Sequence, residues 1–93
     1  MAENVRAHVI ITGRVQGVAF RADTRWTAQQ IGVSGWVRNR RDGSVEAVVE
    51  GEKERVEKML DWCRQGPALS RVDDMKLAWE PYTGEFTQFS ITF

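Results

Sequence analysis

The sequence predicts an α+β domain in which two helices pack on one face of an antiparallel sheet. Three observations support this class. Apolar and polar residues alternate over 6–12, 44–51 and 72–80, which is typical of strands with one buried face. Apolar residues recur at helical spacing over 22–33 and 52–65, and both segments lie between strand-like segments. An Asp-Gly pair, a common turn in β-hairpins, separates two of the strand-like segments.

The first strand, 6–12, is followed by a glycine-containing loop and by the first helix, 22–33. Two stripes compete for the buried face of this helix. One stripe has the spacing i, i+3, i+4, i+7 and consists of Thr24, Thr27, Ala28 and Ile31. The other consists of Ala22, Trp26 and Val33. We favour the first stripe, which leaves Trp26 largely exposed, and we expect Gly32 to end the helix.

A hairpin is predicted from 35 to 51. The segment GWVRN, 35–39, forms its first strand, RRDG, 40–43, its turn, and SVEAVVEG, 44–51, its second strand. The inward face of the second strand is predicted to carry Val45, Ala47 and Val49. The outward face is predicted to carry Glu46, Val48 and Glu50.

The second helix, 52–65, has the clearest apolar stripe, and Gly66-Pro67 ends it. The stripe consists of Val56, Met59, Leu60 and Cys63. Two more strands complete the chain, one over 72–80 and a short one near the end. Their inner sides carry Met75, Leu77 and Trp79, and Phe89, Ile91 and Phe93. The order β-α-β-β-α-β, plus a short extra strand, is the split βαβ or ferredoxin-like plan. The 93 residues fit a single domain, 1–93.

Composition and charge argue against several classes of function. Thirteen basic residues balance thirteen acidic ones, which disfavours a general nucleic-acid binder. No apolar run approaches the ~20 residues of a membrane span, and the first residues lack the pattern of a secretory signal. The single cysteine permits no internal disulfide and, with a single histidine, disfavours a zinc site. We therefore expect a cytoplasmic monomer without nucleic-acid or membrane partners.

The segment GRVQGVAFR, 13–21, predicts an anion-binding loop between the first strand and the first helix. Gly17 permits unusual backbone dihedrals and close approach of an oxyanion to the main chain. Successive backbone N–H groups in such a loop can converge on one point, next to the positive end of the helix dipole. Arg21 adds a planar fork for two phosphate oxygens. On these residues alone, an ordinary strand-to-helix loop with a solvated arginine remains the alternative.

No side chain stands out as a covalent nucleophile or a general base. The sequence has no GK[ST] nucleotide loop, and Cys63 lies on the inward stripe of the second helix. Hydrolysis would then use a water held by an uncharged polar group. It would also need a leaving group that departs without a strong acid, such as a carboxylate leaving phosphorus. Asn39, at the end of the second strand, is our candidate for holding the water, with an ordinary turn asparagine as the alternative.

Two motifs resemble those of the acylphosphatases. GRVQGVAFR is similar to their G-x-V-Q-G-V-x-F-R motif. GWVRNRRDGSVEAVVEG is similar to their G-W-V-x-N, three residues, G-x-V, five residues, G motif. Both occur in order and at the family's spacing, and the resemblance spans nearly the whole chain. Ala19 fills a variable slot in the first motif.

The resemblance implies the ferredoxin-like fold and hydrolysis of the carboxyl-phosphate bond of small acyl phosphates, without metal or cofactor. By the family pattern, Arg21 binds the phosphate together with backbone amides of the 15–20 loop, and Asn39 orients the attacking water. The loop residues implied in binding are Gln16, Gly17, Val18, Ala19 and Phe20.

Two other functions remain open on the sequence. The domain could belong to a larger carbamoyl-phosphate-handling enzyme, although Met1 at the start and a strand at the end favour a stand-alone protein. A ferredoxin-like module could also bind RNA or a small anion without catalysis, through Arg38, Arg40 and Arg41 near the turn. A solvated basic hairpin is the simpler interpretation of these arginines, given the zero net charge.

Overall fold

The structure, a computed structural model, describes residues 3–93, so that Met1 and Ala2 of the predicted 1–93 domain lie outside the described residues. Within that range, seven elements follow one another along the chain. They are β1 (Asn4–Arg14), α1 (Phe20–Ile31), β2 (Ser34–Asn39), β3 (Val45–Glu52), α2 (Lys53–Gln65), β4 (Arg71–Glu80) and β5 (Phe89–Ile91). This is the predicted order of elements, although α1 begins earlier than predicted.

The strands form one sheet in the order β4-β1-β3-β2-β5. Neighbouring strands are antiparallel except at one edge, where β5 pairs in parallel with β2. The prediction of a wholly antiparallel sheet was therefore wrong at this edge, and the sheet is mixed. The reason is topological. Since β4 runs opposite to β2 and the chain reverses through residues 81–88, β5 runs in the same direction as β2.

Both helices pack on the sheet and share one hydrophobic core. The predicted stripe of α2 is buried throughout. In α1 the centre of the favoured stripe is confirmed, because Thr24 and Ala28 are fully buried whereas Trp26 is 63% exposed. The helices contact each other through the rings of Phe20 and Trp62, whose centroids are 5.7 Å apart. Within residues 3–93, neither helix has the length and apolar character needed to cross a membrane.

The outer face of β3 is buried, which the alternating pattern did not predict. Its residues are Glu46, Val48 and Glu50. Residues 81–88 cover part of this face on their way from β4 to β5. Glu50, only 1% exposed, accepts hydrogen bonds from the backbone N–H groups of Thr83 (2.9 Å) and Gly84 (3.1 Å). Alternation assigns the side chains to the correct face, but it cannot reveal that a distant segment covers that face.

Two aromatic residues predicted on the inner side of the last strands are exposed. Trp79 on β4 is 51% exposed, and Phe93, beyond the end of β5, is 99% exposed. Both lie at an edge of the sheet, where a strand has a neighbour on one side only. Inward direction on an edge strand therefore does not ensure burial.

Candidate active site

The loop 15–19 leaves β1 and enters α1 with an alternating backbone conformation. Gly17 and Ala19 have left-handed dihedrals, with φ of 75° and 61°, whereas Val18 between them does not. Such alternation turns successive N–H groups towards one side and makes a concave site that attracts anions. A Cβ atom added at Gly17 would meet no other atom within 4 Å, so the loop is open at this residue.

The N–H groups of this loop are available to a ligand. Ala19 is the N-cap of α1 and provides no side-chain hydrogen bond, and no described residue accepts a hydrogen bond from the N–H groups of residues 16–19. Free N–H groups at a helix start, together with the positive end of the helix dipole, favour a bound anion. The loop and the start of α1 thus form one set of donors suited to phosphate oxygens.

The side chain of Gln16 ties this loop to the β2–β3 hairpin. Its Nε2 group donates to the carbonyl oxygens of Arg40 (2.7 Å) and Ser44 (2.9 Å). The hairpin is closed by a hydrogen bond of 2.8 Å from the Arg40 N–H to the Ser44 carbonyl. Because Asn39 directly precedes this turn, the bonds of Gln16 hold the loop and the end of β2 in a fixed relation.

Arg21 and Asn39 line one cavity of about 250 Å³. The loop contributes Gly17 and Ala19 to its wall, and the end of the chain contributes Phe93. The guanidinium carbon of Arg21 lies 5.7 Å from the centroid of the Phe93 ring, a distance at which a cation is attracted to an aromatic face. Within residues 3–93, Arg21 forms no ion pair. Its charge is therefore available to an anion in the cavity.

Asn39 carries an unsatisfied buried acceptor. As the last residue of β2, it lies on the same side of the sheet as Val37, which is buried against the helices. Its side-chain oxygen, Oδ1, is buried and has no hydrogen-bond partner among the described residues. An unpaired buried polar atom costs about 1–3 kcal/mol. The oxygen is thus placed to accept a hydrogen bond from a molecule that enters the cavity.

The other titratable groups considered from the sequence have different roles. Burial raises the pKa of the Cys63 thiol to about 12, so that this cysteine stays protonated and does not act as a nucleophile. Hydrogen bonds from Ser44 hold the pKa of Asp42 below its ordinary value and fix the turn. Within residues 3–93, the side chains of His, Cys, Asp and Glu form no group of three that could hold a metal ion.

Size alone does not locate the site. A larger cleft of about 500 Å³ lies near the start of β1 and the end of β4. Its charged side chains are mainly acidic, with Glu3, Glu57 and Glu80 against Lys53. Such a lining repels a phosphate, whereas Arg21 is the charged side chain in the wall of the smaller cavity.

Proteins of similar sequence carry one family name. A sequence model of the acylphosphatase family matches residues 7–91. The chain is 56% identical over 91 residues to an acylphosphatase of Roseiflexus sp. (strain RS-1), with 98% of each chain covered. It is 53% identical over 88 residues to an acylphosphatase of Pelotomaculum thermopropionicum, with 95% of this chain and 96% of that one covered. The chain belongs to the acylphosphatase family.

A solved acylphosphatase has the same fold as this chain. The crystal structure of acylphosphatase from Bacillus subtilis matches with a TM-score of 0.92 and 31% identity, covering 96% of this chain and 99% of that chain. The predicted family, the ferredoxin-like α+β fold and the enzyme class are confirmed. The family and the fold together support hydrolysis of acyl phosphates.

Five of the seven residues predicted to bind substrate or to act in catalysis line one cavity. Gly17, Ala19, Phe20 and Arg21 line the cavity together with Asn39. Residues of the first loop and of the end of β2 are thus brought together, although they are about 20 residues apart in the sequence.

Two residues predicted to bind substrate do not line the cavity with their side chains. The amide of Gln16 is engaged with the β2–β3 hairpin, and the side chain of Val18 is 9% exposed and packs in the core. Phe20 is also buried, at 2% exposure. In this part of the acylphosphatase loop, the main chain is therefore the part available to a ligand, and the side chains anchor it.

Sequence analysis missed Phe93 as a residue of the cavity and placed it on an inner strand face. Phe93 approaches Arg21 because β5 pairs with β2, whose end carries Asn39. Neither motif indicates that the end of the chain lies beside Arg21. Parallel pairing at the sheet edge would have had to be predicted first.

Proposed function

We propose that this acylphosphatase hydrolyses the carboxyl-phosphate bond of small acyl phosphates by direct attack of water, without a metal ion or cofactor. In this proposal, the 15–20 loop amides and Arg21 bind the phosphate, and Asn39 orients the water. The main support is that one cavity is lined by a guanidinium that forms no ion pair within residues 3–93 and by a buried amide oxygen that has no partner there.

Arg21 and the loop amides would supply the charge stabilisation. A guanidinium can hold two phosphate oxygens at once, and the free N–H groups of the loop can reach others. Charge is spread over the equatorial oxygens of phosphorus during the transfer, so that fixed donors stabilise the transition state without reorganising.

Asn39 would position the nucleophile, a water molecule. Its Oδ1 oxygen can accept a hydrogen bond from a water and so direct a lone pair of that water towards phosphorus. No strong base is needed where the transition state is loose and little charge develops on the attacking water. The leaving carboxylate is already a stable anion, so no general acid is required.

The first experiment is hydrolysis of benzoyl phosphate in the presence of EDTA, for the wild type and for Arg21→Ala. We expect rapid turnover by the wild type and a loss of about 100- to 1,000-fold in kcat/KM for the variant, as for removal of a donor to developing charge. Arg21→Lys should recover only part of this loss, because an ammonium cannot make the two-point contact.

Arg25→Ala is a matched control for this experiment. Arg25 lies on the same helix and is exposed, and it does not line the cavity. Removal of its charge should leave kcat/KM within about twofold of the wild type, as is usual for an exposed surface charge. A folded wild type that fails to hydrolyse benzoyl phosphate would contradict the proposed function, and an equal loss for Arg25→Ala would contradict the role of Arg21.

The same proposal takes the protein as a cytoplasmic monomer that acts on a free small molecule and has no nucleic-acid or membrane partner. Sedimentation velocity at the enzyme concentration of the assay measures its oligomeric state. A dimer at that concentration would contradict the monomer.

A further inference from the structure

A basic cavity adjoins the proposed catalytic cavity. It has a volume of about 610 Å³ and lies against the β2–β3 turn. Its lining consists of Arg38, Asn39, Arg40, Arg41, Asp42 and Phe93. Since Asn39 and Phe93 also line the catalytic cavity, the two cavities share a wall. The basic cavity is therefore adjacent to the place proposed for the phosphate.

The charge of Arg38 is already balanced. Its Nε group donates a hydrogen bond of 2.7 Å to Glu46, with which the guanidinium also forms an ion pair, and the guanidinium carbon lies 5.3 Å from the centroid of the Trp36 ring. Glu46 also bonds to His8 at 2.6 Å. Arg38 is thus held against the sheet by a carboxylate and an aromatic ring, and it contributes little charge to the cavity.

The charges of Arg40 and Arg41 are not balanced in this way. Asp42 is the carboxylate near them. Its Oδ1 accepts a hydrogen bond from the Ser44 N–H, and its Oδ2 lies 3.9 Å from Arg40, at the limit of an ion pair. Arg41 is exposed and forms no ion pair within residues 3–93. The lining of the cavity thus includes the guanidinium groups of Arg40 and Arg41 and one carboxylate, which is partly engaged with Ser44.

The position of Arg40 is coupled to the phosphate-binding loop. Its carbonyl accepts the 2.7 Å hydrogen bond from Gln16, whose own backbone belongs to that loop. The main chain at Arg40 is thus fixed relative to the loop. A cation that starts from a fixed main chain beside the site loses less conformational freedom on binding than one on a mobile segment.

We propose that Arg40 and Arg41 bind a second anionic group, carboxylate or phosphate, on the acyl part of the substrate. The enzyme would then prefer acyl phosphates that are anionic at both ends. This inference rests on the proposed function, since it requires the reacting phosphate to occupy the loop. Hydrogen bonds between an arginine and an anion are stronger than neutral ones, and at this exposed site we expect a preference of about three- to tenfold.

The test compares benzoyl phosphates that differ only at the 4-position, carrying a carboxylate, a phosphonate or a neutral carboxamide. Each kcat/KM is divided by the spontaneous hydrolysis rate of the same compound, which removes differences in leaving-group reactivity. The ratio of each anionic substrate to the carboxamide then measures recognition of the second charge. The carboxylate and phosphonate arms distinguish the two sources of that charge.

For the wild type we expect ratios of about three to ten, and a fall towards one for the double variant Arg40→Ala/Arg41→Ala. High salt should also lower the wild-type ratios, because exposed charges are screened. The matched control is Arg55→Ala/Lys58→Ala, two exposed cations on α2, which removes the same net charge of two. Arg55 pairs with Glu52, the last residue of β3, about 30 Å along the strands from the loop. The ratios of this control should equal those of the wild type.

Three results would overturn the inference. Wild-type ratios near one, with benzoyl phosphate hydrolysed, would refute recognition of a second charge and leave the proposed function intact. An equal fall for Arg55→Ala/Lys58→Ala would show that net charge, and not the basic cavity, causes the preference. If none of these compounds is hydrolysed, the proposed function and this inference are refuted together.

Discussion

Asn39 and Glu50 are polar residues at opposite ends of the same strand pair, each with a buried side-chain oxygen, and their surroundings differ. Asn39 pairs with the first residue of β3, on the helix side of the sheet, and its Oδ1 has no partner among residues 3–93. Glu50 pairs with the first residue of β2 and lies on the other face. It accepts hydrogen bonds from Thr83 and Gly84, and Arg6 lies 3.4 Å away.

This difference in hydrogen bonding predicts that Glu50 contributes to stability and Asn39 to catalysis. The acceptors of Glu50 are satisfied from within the chain, so that Glu50 fixes residues 81–88 to the sheet. The acceptor of Asn39 has no partner among residues 3–93, and a buried polar atom left unpaired costs about 1–3 kcal/mol. A buried polar group without an internal partner is unusual in proteins, and an open cavity beside it indicates a ligand. Substitution of the two residues should therefore have opposite consequences.

Asn39→Ala should produce the largest effect, and on catalysis. We expect kcat to fall about 100- to 1,000-fold with KM within about threefold of the wild type, because in the proposed mechanism Asn39 contacts the attacking water and not the phosphate. The free energy of unfolding should stay the same or rise by up to about 1 kcal/mol, since an unpaired acceptor is removed. Steady-state kinetics and urea denaturation measure the two quantities.

Asn39→Asp tests the same role with nearly the same shape. A carboxylate retains the acceptor oxygens but adds a negative charge beside the phosphate, so kcat/KM should also fall. Equal changes of kcat and KM in Asn39→Ala, or a large loss of stability, would mean that Asn39 binds phosphate or supports the fold and does not position water.

Glu50→Ala should act on stability. It leaves the N–H groups of Thr83 and Gly84 without their acceptor, and we expect the free energy of unfolding to fall by about 3 kcal/mol. The kcat/KM of the folded protein should stay within about twofold of the wild type. Glu57→Ala, on the exposed side of α2, is the control and should change stability by less than about 0.5 kcal/mol. A stable Glu50→Ala with impaired catalysis would contradict the contrast with Asn39.

The sequence predicted the surroundings of Asn39 better than those of Glu50. The loop, Arg21 and Asn39 lie in compact motifs, and the strand-to-helix turn can be inferred from local glycines and periodicity. The partners of Glu50 are 33 and 34 positions away in the sequence, and no local pattern indicates them. The same holds for Phe93 beside Arg21, which depends on parallel pairing at the sheet edge. Non-local contacts of single residues were therefore the part that sequence reasoning could not supply.

Glu46 is a third polar residue of this strand pair, and we expect it to make the free energy of unfolding depend on pH. Burial raises its pKa, but hydrogen bonds from His8 and Arg38 outweigh burial and hold the pKa below its ordinary value of 4.5. A carboxyl whose pKa is lower in the folded state contributes stability above its unfolded pKa and loses it as the pH falls through the folded value. The free energy of unfolding should thus decrease as the pH falls below about 4.5.

Glu46→Gln should make this acid-dependent decrease smaller, because a neutral amide cannot be protonated in this range. Urea denaturation at a series of pH values between neutrality and acid measures it, with Glu57→Gln as the exposed control. An unchanged acid dependence in Glu46→Gln would show that Glu46 does not contribute to it.

Ala19→Gly should have the smallest effect, and it tests whether the loop is strained for binding. Ala19 has φ of 61°, a left-handed conformation that costs a residue with a Cβ atom about 1–2 kcal/mol. Glycine relieves this cost but loses more entropy on folding, by roughly 0.5–1 kcal/mol. The free energy of unfolding should therefore rise by less than about 1 kcal/mol, and phosphate inhibition should change by less than about twofold.

Ala22→Gly is the matched comparison, three positions along the chain in the helical conformation of α1. There glycine gains nothing from a relieved φ and should lower the free energy of unfolding by about 1 kcal/mol. The two variants make the same chemical change, so a difference in sign isolates the backbone conformation at Ala19. Equal destabilisation by both variants would show that the left-handed conformation of Ala19 carries no strain.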